Sequence, residues 1–343
     1  MIDADELRPL IRQVVDGCDL DEDRAYAAAS RIMAGEATPA QIAALLVALR
    51  VKGETVSEIT GFARAMRDHA EPVRISADAI DTCGTGGDGA GTFNVSTVSA
   101  FVAAGAGCHV AKHGNRAVSG PCGSADLLEA LGIEVRVGAH IAARQIDRVG
   151  LGFLFAPHYH GAARHAAGPR REIGIRSIFN LVGPLTNPAR VRRQLLGVFD
   201  GRLTETLAHV LARLGSTHCL VVHGADGLDE ISLGGATRVS ELKDGSVTTY
   251  EIDPRSFGFR RHAVERLRGG SAADNARLCL AVLAGRRGPA RDVVLLNAGA
   301  AIHVAGRASS IAAGIARARE SIDSGRAMAK LEALRGREGS SVA

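Results

Sequence analysis

A glycine-rich segment, residues 81–97, constrains this chain more than any other. It places five glycines, including those of Gly84-Thr-Gly-Gly-Asp-Gly89, between a short apolar run and an Ala/Val-rich helical pattern. Glycine lets backbone N–H groups approach a ligand closely, and a helix that starts behind such a loop offers unpaired donors and the positive end of its dipole. The segment therefore predicts a site for a phosphate-bearing ligand.

Two familiar nucleotide loops fit this segment poorly. Gly84-Thr-Gly-Gly-Asp-Gly89 formally matches the dinucleotide fingerprint, but Asp88 would repel a bare pyrophosphate. No acidic residue lies between Gly89 and Ala125 to bind a ribose. A Walker-type loop would close with Gly-Lys-Ser/Thr, which is absent here. Hydroxyl groups beside an aspartate instead indicate a ligand with hydroxyls to bind, or one that carries a cation.

Composition narrows the class of protein. The 343 residues allow one large domain or two modest ones, and 46% hydrophobic residues with no apolar run of 18 predict a soluble globular chain. Six cysteines without Cys-x-x-Cys spacing indicate neither a zinc ribbon nor a disulfide framework. The net charge is +4, but the chain has no run of basic residues interleaved with aromatic ones. We therefore expect no nucleic-acid or membrane partner and a cytoplasmic location.

The order of periodic segments predicts an α/β fold with a largely parallel central sheet flanked by helices and a small all-helical N-terminal domain. We expect four helices within residues 1–70, joined by helices from about 165–190, and a large α/β domain over 71–343. Thr38 and Thr55 begin capping boxes in the first region. Helical patterns cover 95–106, 124–131, 139–149, 203–214 and much of 271–334. The predicted strands are 79–83, 108–111, 134–137, 152–156, 195–199 and 218–223, followed by a hairpin of 237–242 and 246–252.

Polar residues follow three of the predicted strands, where the carboxyl ends of parallel strands share a crevice. Lys112 and Asn115 lie directly after the second strand, and Ser124 opens the next helix with Asp126 as its cap. The segment 226–230 is either a magnesium site, because Mg²⁺ binds carboxylates beside phosphate, or a solvated acidic turn. We expect Asp226 to shape the turn and not to bind metal.

Two further groups of residues leave alternatives open. His158, His160 and His165 could hold zinc, although their spacing fits no familiar zinc signature. Arginines at 170, 171 and 176 place a guanidinium in the cleft, where it could bind a carboxylate in bidentate fashion.

Together these motifs resemble the anthranilate phosphoribosyltransferase family, over essentially the whole chain. The resemblance lies in Gly84-Thr-Gly-Gly-Asp-Gly, Asn94-Val-Ser-Thr97, Lys112-His-Gly-Asn-Arg-Ala-Val-Ser119, Gly123-Ser-Ala-Asp126, Arg176-Ser-Ile-Phe-Asn-Leu-Val-Gly-Pro-Leu-Thr-Asn-Pro188 and Asp226-Gly-Leu-Asp-Glu230. It departs from the family at Ser177, where threonine is more usual, and at 159–163, which lacks the usual proline and methionine.

The resemblance implies a fold like that of nucleoside phosphorylases and a reaction of tryptophan biosynthesis. The nitrogen of anthranilate attacks C1 of phosphoribosyl pyrophosphate (PRPP), releasing pyrophosphate with Mg²⁺ required. It also implies two Mg²⁺ ions per subunit and a homodimer formed through the helical domain. The aniline nitrogen is neutral at working pH, so we assign no general base and no nucleophile to the protein.

The resemblance implies roles for individual residues of this chain, according to their positions in the matching motifs. The resemblance implies Mg²⁺ contacts from Ser96, Asp229 and Glu230, and anthranilate contacts from Gly84, Asn115 and Arg170, with Arg170 facing the carboxylate. The implied PRPP contacts are Gly84, Gly87, Asp88, Thr92, Asn94, Val95, Ser96, Thr97, Lys112, His113, Gly114, Asn115, Arg116, Ala117, Val118, Ser119, Gly120 and Ser124.

Three other functions remain as alternatives. A pyrimidine nucleoside phosphorylase would share the fold but would carry a Ser-Thr-Gly-Gly-Val-type loop and no Asp-Glu pair. A nucleic-acid-binding relative would have lost the arginine and asparagine on the anthranilate side. An oxidoreductase would bind a nicotinamide cofactor at the glycine loop.

Overall fold

The first four helices form a bundle whose starts are set by local side-chain caps. A computed structural model describes residues 7–117 and 120–336. Thr38 and Thr55 each accept the backbone N–H three residues on, and Gln41 and Glu58 reach back to the N-cap, which confirms both predicted capping boxes. The helices are α1 (Leu7–Val15), α2 (Glu22–Ala34), α3 (Pro39–Lys52) and α4 (Val56–Asp68).

One seven-stranded sheet forms the centre of the remaining chain, in the order β3-β2-β1-β4-β5-β6-β7. The pairs among β1 to β5 are parallel, while β6 and β7 pair antiparallel, so the largely parallel sheet and the terminal hairpin are confirmed. The strands are β1 (Ala79–Gly84), β2 (His109–Gly114), β3 (Leu151–Phe155), β4 (Arg193–Gly197), β5 (His218–Gly224), β6 (Thr237–Lys243) and β7 (Ser246–Ile252).

Helices cover both faces of this sheet, as the alternating pattern predicts. One cluster of buried side chains joins α5 and the C-terminal helices to one face, and a second joins the N-terminal bundle and α11 to the other. The helices are α5 (Val95–Gly105), α6 (Ser124–Ala130), α7 (Ala139–Arg144), α8 (Ala156–Tyr159), α9 (Arg164–Ile173), α10 (Ile178–Val182), α11 (Leu203–Arg213), α12 (Ala272–Leu283), α13 (Pro289–Val304), α14 (Ile311–Asp323) and α15 (Arg326–Leu334).

One predicted strand was wrong, and one predicted helix is confirmed with a change of helix type along its length. Residues 134–137 are not a strand: their buried and exposed side chains alternate, but the backbone forms no ladder. Side chains provide hydrogen-bond partners for this backbone instead: Tyr159 Oη donates to the Val137 carbonyl, and Glu134 accepts the Arg136 N–H. The predicted helix 139–149 is α7 followed by a turn of π-helix over Gln145–Val149, which ends at Gly150 in a left-handed conformation.

Helices α9 and α10 pack against the N-terminal bundle although they follow the first three strands. Ala166, Ile178 and Phe179 belong to the same buried cluster as Ile42 and Phe62. The Phe62 and Phe179 rings meet edge to face with centroids 6.0 Å apart. Within 7–117 and 120–336, no helix has both the length and the apolar character needed to cross a bilayer.

Candidate functional site

The site lies where the strand order reverses. The chain proceeds from β1 to β2 and β3 on one side, and then returns to place β4 on the other side of β1. Ligands of parallel α/β sheets bind at such a switch point, beyond the carboxyl ends of the strands. Gly84 and Gly197 are the last residues of β1 and β4, and they are paired partners in the sheet.

Both glycines make room for Asp229. A Cβ on Gly197 would collide with the Asp229 carbonyl oxygen, and a Cβ on Gly84 would collide with the Asp229 carboxylate. The segment after β5 can therefore fold down over the ends of β1 and β4 only because neither strand carries a side chain there.

Asp229 and Glu230 connect the glycine-rich loop to the start of α5. Gly86 N–H donates to Asp229 Oδ2 at 2.8 Å, and Ser96 N–H donates to Glu230 Oε1 at 3.0 Å. Ser96 lies in the first turn of α5, where a carboxylate is favoured by unpaired N–H groups and the helix dipole. The three residues predicted to serve Mg²⁺ thus lie together.

Ser96 lies just inside α5 and not at its cap. The N-cap of α5 is Asn94, and Ser96 is the second residue of the helix. The Ser96 hydroxyl is therefore not a helix cap; it accepts a hydrogen bond from Lys112 Nζ at 3.3 Å.

Burial disfavours the charged forms of both acidic side chains. Burial, together with the neighbouring Asp88 carboxylate, raises the pKa of Asp229 from 3.8 to about 7. Burial and the Asp229 charge raise the pKa of Glu230 well above its usual value. Asp88 Oδ2 is buried and has no hydrogen-bond partner among the described residues. Mg²⁺ is usually bound through one or two carboxylates together with phosphate oxygens, so the adjacent Asp229 and Glu230 suit it beside a phosphate-bearing ligand.

The Lys112 side chain hydrogen-bonds to residues at both ends of the glycine-rich loop. Its side chain is buried, and Nζ donates to the Thr82 carbonyl at 2.5 Å as well as to Ser96. Burial lowers the pKa of Lys112, and burial raises the pKa of nearby Asp81 to about 6. Asn187 Nδ2 and His113 N–H donate to the two Asp81 oxygens, which fixes that carboxylate.

The other predicted PRPP residues fall into two groups, and those of the first group lie around the crevice. Thr97 donates to Ser124 Oγ at 3.1 Å, and Asn94 donates to the Cys122 carbonyl at 3.0 Å, so the starts of α5 and α6 are tied together beside the loop. Thr92 forms an isolated bridge with Arg268. These contacts place the polar side chains around one crevice.

Some predicted residues are turned away or engaged elsewhere. Val95 is buried in the core, and the Arg116 guanidinium is held by Asp126 and by both oxygens of Glu129. Asp126 also accepts the N–H groups of Gly123 and Ala117, which confirms its role as a cap. Gly120 is exposed beyond this turn, while Val118 and Ser119 lie outside the described residues.

A cavity of about 470 Å³ opens beside the loop, between the sheet and the helical bundle. The three residues predicted to contact anthranilate, Gly84, Asn115 and Arg170, all line it. Its remaining walls are largely apolar, which suits a flat aromatic ring. The sequence interpretation missed most of this lining, namely Met66, Ala163, Ala167, Phe179 and Pro184.

Arg164 and Arg170 both line this cavity, and Arg170 is the one predicted to face the anthranilate carboxylate. Its guanidinium lies 5.0 Å from the centre of the Phe179 ring, and burial lowers its pKa. No carboxylate pairs with it among residues 7–117 and 120–336. Arg176 instead stacks 4.0 Å over Phe199 and donates to the Gly87 carbonyl, while Arg171 is exposed. Arg170 is therefore placed to bind an anionic group on a ligand.

The histidines near the cavity do not form the zinc site that was considered as an alternative. His160 packs against His113 with ring centroids 5.2 Å apart, and His165 lies against Gly35. In the described part of the chain, His158, His160 and His165 do not bring three ligand atoms together. Burial lowers the pKa of His113 well below its usual value and that of His160 to about 4, so both rings are neutral.

Comparison with known proteins identifies matching families and structures. Residues 8–70 match the helical bundle domain of a glycosyl transferase family, and residues 76–328 match the a/b domain of a glycosyl transferase family. An anthranilate phosphoribosyltransferase from Moorella thermoacetica is 57% identical over 329 residues, which are 96% of this chain and 97% of that protein.

Solved structures agree over the same length. The anthranilate phosphoribosyltransferase of Thermus thermophilus superposes with a TM-score of 0.91 at 44% identity, covering 98% of this chain and 99% of that one. The Saccharomyces cerevisiae enzyme in complex with PRPP and Mg gives 0.89 at 28% identity, covering 97% and 98%. The same yeast enzyme in complex with 4-fluoroanthranilate gives 0.87 at 27% identity, covering 98% of both chains.

Proposed function

Because this chain belongs to the anthranilate phosphoribosyltransferase family, we propose that the crevice around its glycine-rich loop is where it transfers the 5-phosphoribosyl group of PRPP to the nitrogen of anthranilate. The products are N-(5-phosphoribosyl)anthranilate and pyrophosphate, in a step of tryptophan biosynthesis. The observation that carries this placement is the Asp229-Glu230 pair, which joins the loop to the start of α5 at the switch point of the sheet.

The residues around the crevice suit a leaving group whose negative charge grows. Displacement at the anomeric carbon passes through an oxocarbenium-like state, so the departing pyrophosphate needs donors that are already in place. The loop N–H groups, the start of α5 and the Thr97–Ser124 hydroxyl pair supply such donors. Lys112 positions Ser96 by donating a hydrogen bond to its hydroxyl, and it adds a positive charge.

We propose that Ser96, Asp229 and Glu230 serve two Mg²⁺ ions in each subunit. The support is the raised pKa of each acidic side chain, which a bound cation would offset, and the Mg bound with PRPP in the yeast relative. Bound Mg²⁺ supplies positive charge that stabilises the pyrophosphate as it leaves. No protein side chain is required as a general base, because the attacking aniline nitrogen is neutral.

Loss of both acidic side chains tests this assignment. In the Asp229→Ala, Glu230→Ala double variant we expect turnover to fall by about 10²-fold or more, since removing one preorganised electrostatic contact typically has that effect. The matched control is Glu205→Gln, an exposed carboxylate on α11. Loss of anthranilate fluorescence in the presence of PRPP and Mg²⁺ reports turnover. Unchanged turnover with unchanged Mg²⁺ dependence would show that the assignment is wrong.

We propose that the cavity lined by Gly84, Asn115 and Arg170 holds anthranilate, with its carboxylate toward Arg170. The apolar walls, the stacked Phe179 and the absence of a carboxylate partner for Arg170 among the described residues support this orientation. Arg170→Ala should raise the anthranilate KM by about 10-fold or more, because a charged hydrogen bond is lost. The exposed neighbour supplies the control variant, Arg171→Ala. A change confined to the PRPP KM would contradict the proposal.

We also propose a homodimer formed through the helical bundle. Large apolar side chains of α1 and α3 are exposed there: Val15 is 66% exposed, Val47 is 36% and Val51 is 83%. Val51→Asp should yield a monomer in light scattering after size-exclusion chromatography, whereas Ile141→Asp, at an exposed apolar residue of α7, should not. A Val51→Asp dimer as stable as wild type would exclude this face as the interface.

The domain division and location remain proposals. A small domain of residues 1–70, joined by helices from about 165–190, and a large domain of 71–343 are supported by the shared core of α9, α10 and the bundle. A cytoplasmic location would suit an enzyme of amino-acid biosynthesis.

A further inference from the structure

Three metal-ligating side chains meet at the end of the sheet opposite the crevice. His218 is the first residue of β5, whereas the crevice lies beyond the last residues of β1 and β4, which run parallel to β5. Glu241 is on the adjacent strand β6, and His303 is in the last turn of α13, which packs on this face. Among residues 7–117 and 120–336 this is the only group of three such side chains close enough to share one ion.

The ligand atoms of this cluster lie close together and are shielded from solvent. His218 Nε2 is 2.8 Å from Glu241 Oε1, and His303 Nε2 is 3.9 Å from the same oxygen. One ligand atom from each residue lies within 4.8 Å of the others. The His218, Glu241 and His303 side chains are 7%, 18% and 12% exposed. Water therefore competes weakly for these atoms.

Hydrogen bonds outside the cluster orient two of its members. His303 Nδ1 is 2.9 Å from the Ala308 carbonyl oxygen, and because a carbonyl only accepts, Nδ1 carries the proton. Because Nδ1 is engaged in this way, Nε2 is the ring nitrogen of His303 that faces Glu241 Oε1 and is open to a metal ion. Tyr250 Oη donates to Glu241 Oε2 at 2.8 Å, which leaves Oε1 facing the histidines.

These outer contacts are of the kind that supports metal ligands. A metal-binding histidine usually donates its other ring N–H to a carbonyl or carboxylate, and ligating carboxylates are themselves hydrogen-bonded. Around a tetrahedral Zn²⁺ with bonds of about 2.0–2.1 Å, neighbouring ligand atoms lie roughly 3.3 Å apart. The two observed distances, 2.8 and 3.9 Å, lie on either side of that value, so small side-chain movements would reach it.

We propose that His218, Glu241 and His303 bind a divalent transition-metal ion of the Zn²⁺ class, which ties β5, β6 and α13 together away from the catalytic crevice. Two imidazoles and one carboxylate select Zn²⁺ over Mg²⁺, since Mg²⁺ prefers oxygen ligands. Water completes the coordination. Histidine binds a metal through a ring nitrogen that carries no proton, so affinity should rise with pH.

Cobalt titration of the full-length protein tests the proposal. The protein is stripped with a chelator and titrated with Co²⁺ in excess Mg²⁺, which occupies the acidic pair of the crevice. We expect one equivalent of Co²⁺ to produce the visible absorption of a nitrogen- and oxygen-ligated site, and added Zn²⁺ to abolish it. His303→Gln should weaken binding by about 10-fold or more. His209→Gln, at an exposed histidine of α11, should bind as wild type does.

Crystals of the wild-type protein provide a second test that does not depend on a folded variant. After soaking with Zn²⁺, the anomalous difference map should show a peak bonded to His218 Nε2, His303 Nε2 and Glu241. A peak only at Asp229 and Glu230, or equal Co²⁺ affinity in His303→Gln and wild type, would overturn the proposal. Either result would mean that His218, Glu241 and His303 form an ion-pair cluster without a metal.

Discussion

Replacing Asp229 with asparagine should make the protein more stable while it impairs catalysis. Burial and Asp88 raise the pKa of Asp229 from 3.8 to about 7, which corresponds to about 4 kcal/mol against folding when the carboxylate is ionised in the unfolded chain. Asparagine keeps an acceptor for Gly86 N–H and gains a donor for the unpaired Asp88 Oδ2, and it has no proton to lose in either state. We therefore expect a gain of about 4 kcal/mol in the free energy of unfolding at a pH above about 7.

The direction of the Asp229 pKa shift determines how the stability gained by Asp229→Asn depends on pH. Below the unfolded pKa of 3.8, Asp229 is protonated in both states and imposes no penalty. As pH rises toward 7, the unfolded chain loses this proton while the folded protein keeps it, so the penalty grows and then levels off. The advantage of Asp229→Asn should therefore be about 2 kcal/mol at about pH 5 and about 4 kcal/mol at about pH 8.

Urea denaturation with EDTA at these two pH values measures this advantage, with Glu205→Gln as an exposed control. Added Mg²⁺ should reduce it, because an ion that binds only the folded wild type stabilises that protein. If the asparagine variant is no more stable than wild type near pH 8, or gains equally at both pH values, the electrostatic reasoning is refuted.

Three further substitutions test the packing around the site and the bundle. Gly197→Ala should lower kcat/KM by about 10²-fold, because its Cβ would displace Asp229 from the ends of β1 and β4; steady-state kinetics equal to wild type would contradict this. Tyr159→Phe should cost about 1–2 kcal/mol in urea denaturation with little change in kcat, since the buried Val137 carbonyl loses its partner, and a neutral effect would count against that role. Lys52→Met should cost about 3 kcal/mol, because buried Glu58 would lose its cation; a loss below about 1 kcal/mol would show that Glu58 is compensated elsewhere.

The sequence predicted most of the fold because its strongest signals are local. Thr38 and Thr55 cap their helices within one turn, and the alternation of strands and helices specifies a parallel sheet. The failure at 134–137 shows the limit of such signals. Alternating burial reports which side chains face the core, whereas a strand also needs a partner for its backbone, and here Tyr159 and Glu134 occupy that role.

The candidate site was predictable to the extent that it lies at strand ends. Topology alone brings Asp229 beside Gly86, across 143 positions of sequence. The walls of the cavity were not predictable in this way. Met66 and Phe179 come from α4 and α10, and their positions depend on how the helical bundle packs against the sheet. No local pattern in the sequence specifies that long-range contact.

The central claim is that the glycine-rich loop and the Asp229-Glu230 pair bind PRPP together with divalent cations. A crystal structure of the full chain with PRPP and Mn²⁺ in place of Mg²⁺ tests it most directly, because Mn²⁺ is located by its anomalous signal. The account predicts cation peaks beside the Asp229 and Glu230 carboxylates, with the pyrophosphate against residues 84–97. PRPP bound at the loop with no cation near either carboxylate, or PRPP bound elsewhere, would contradict it.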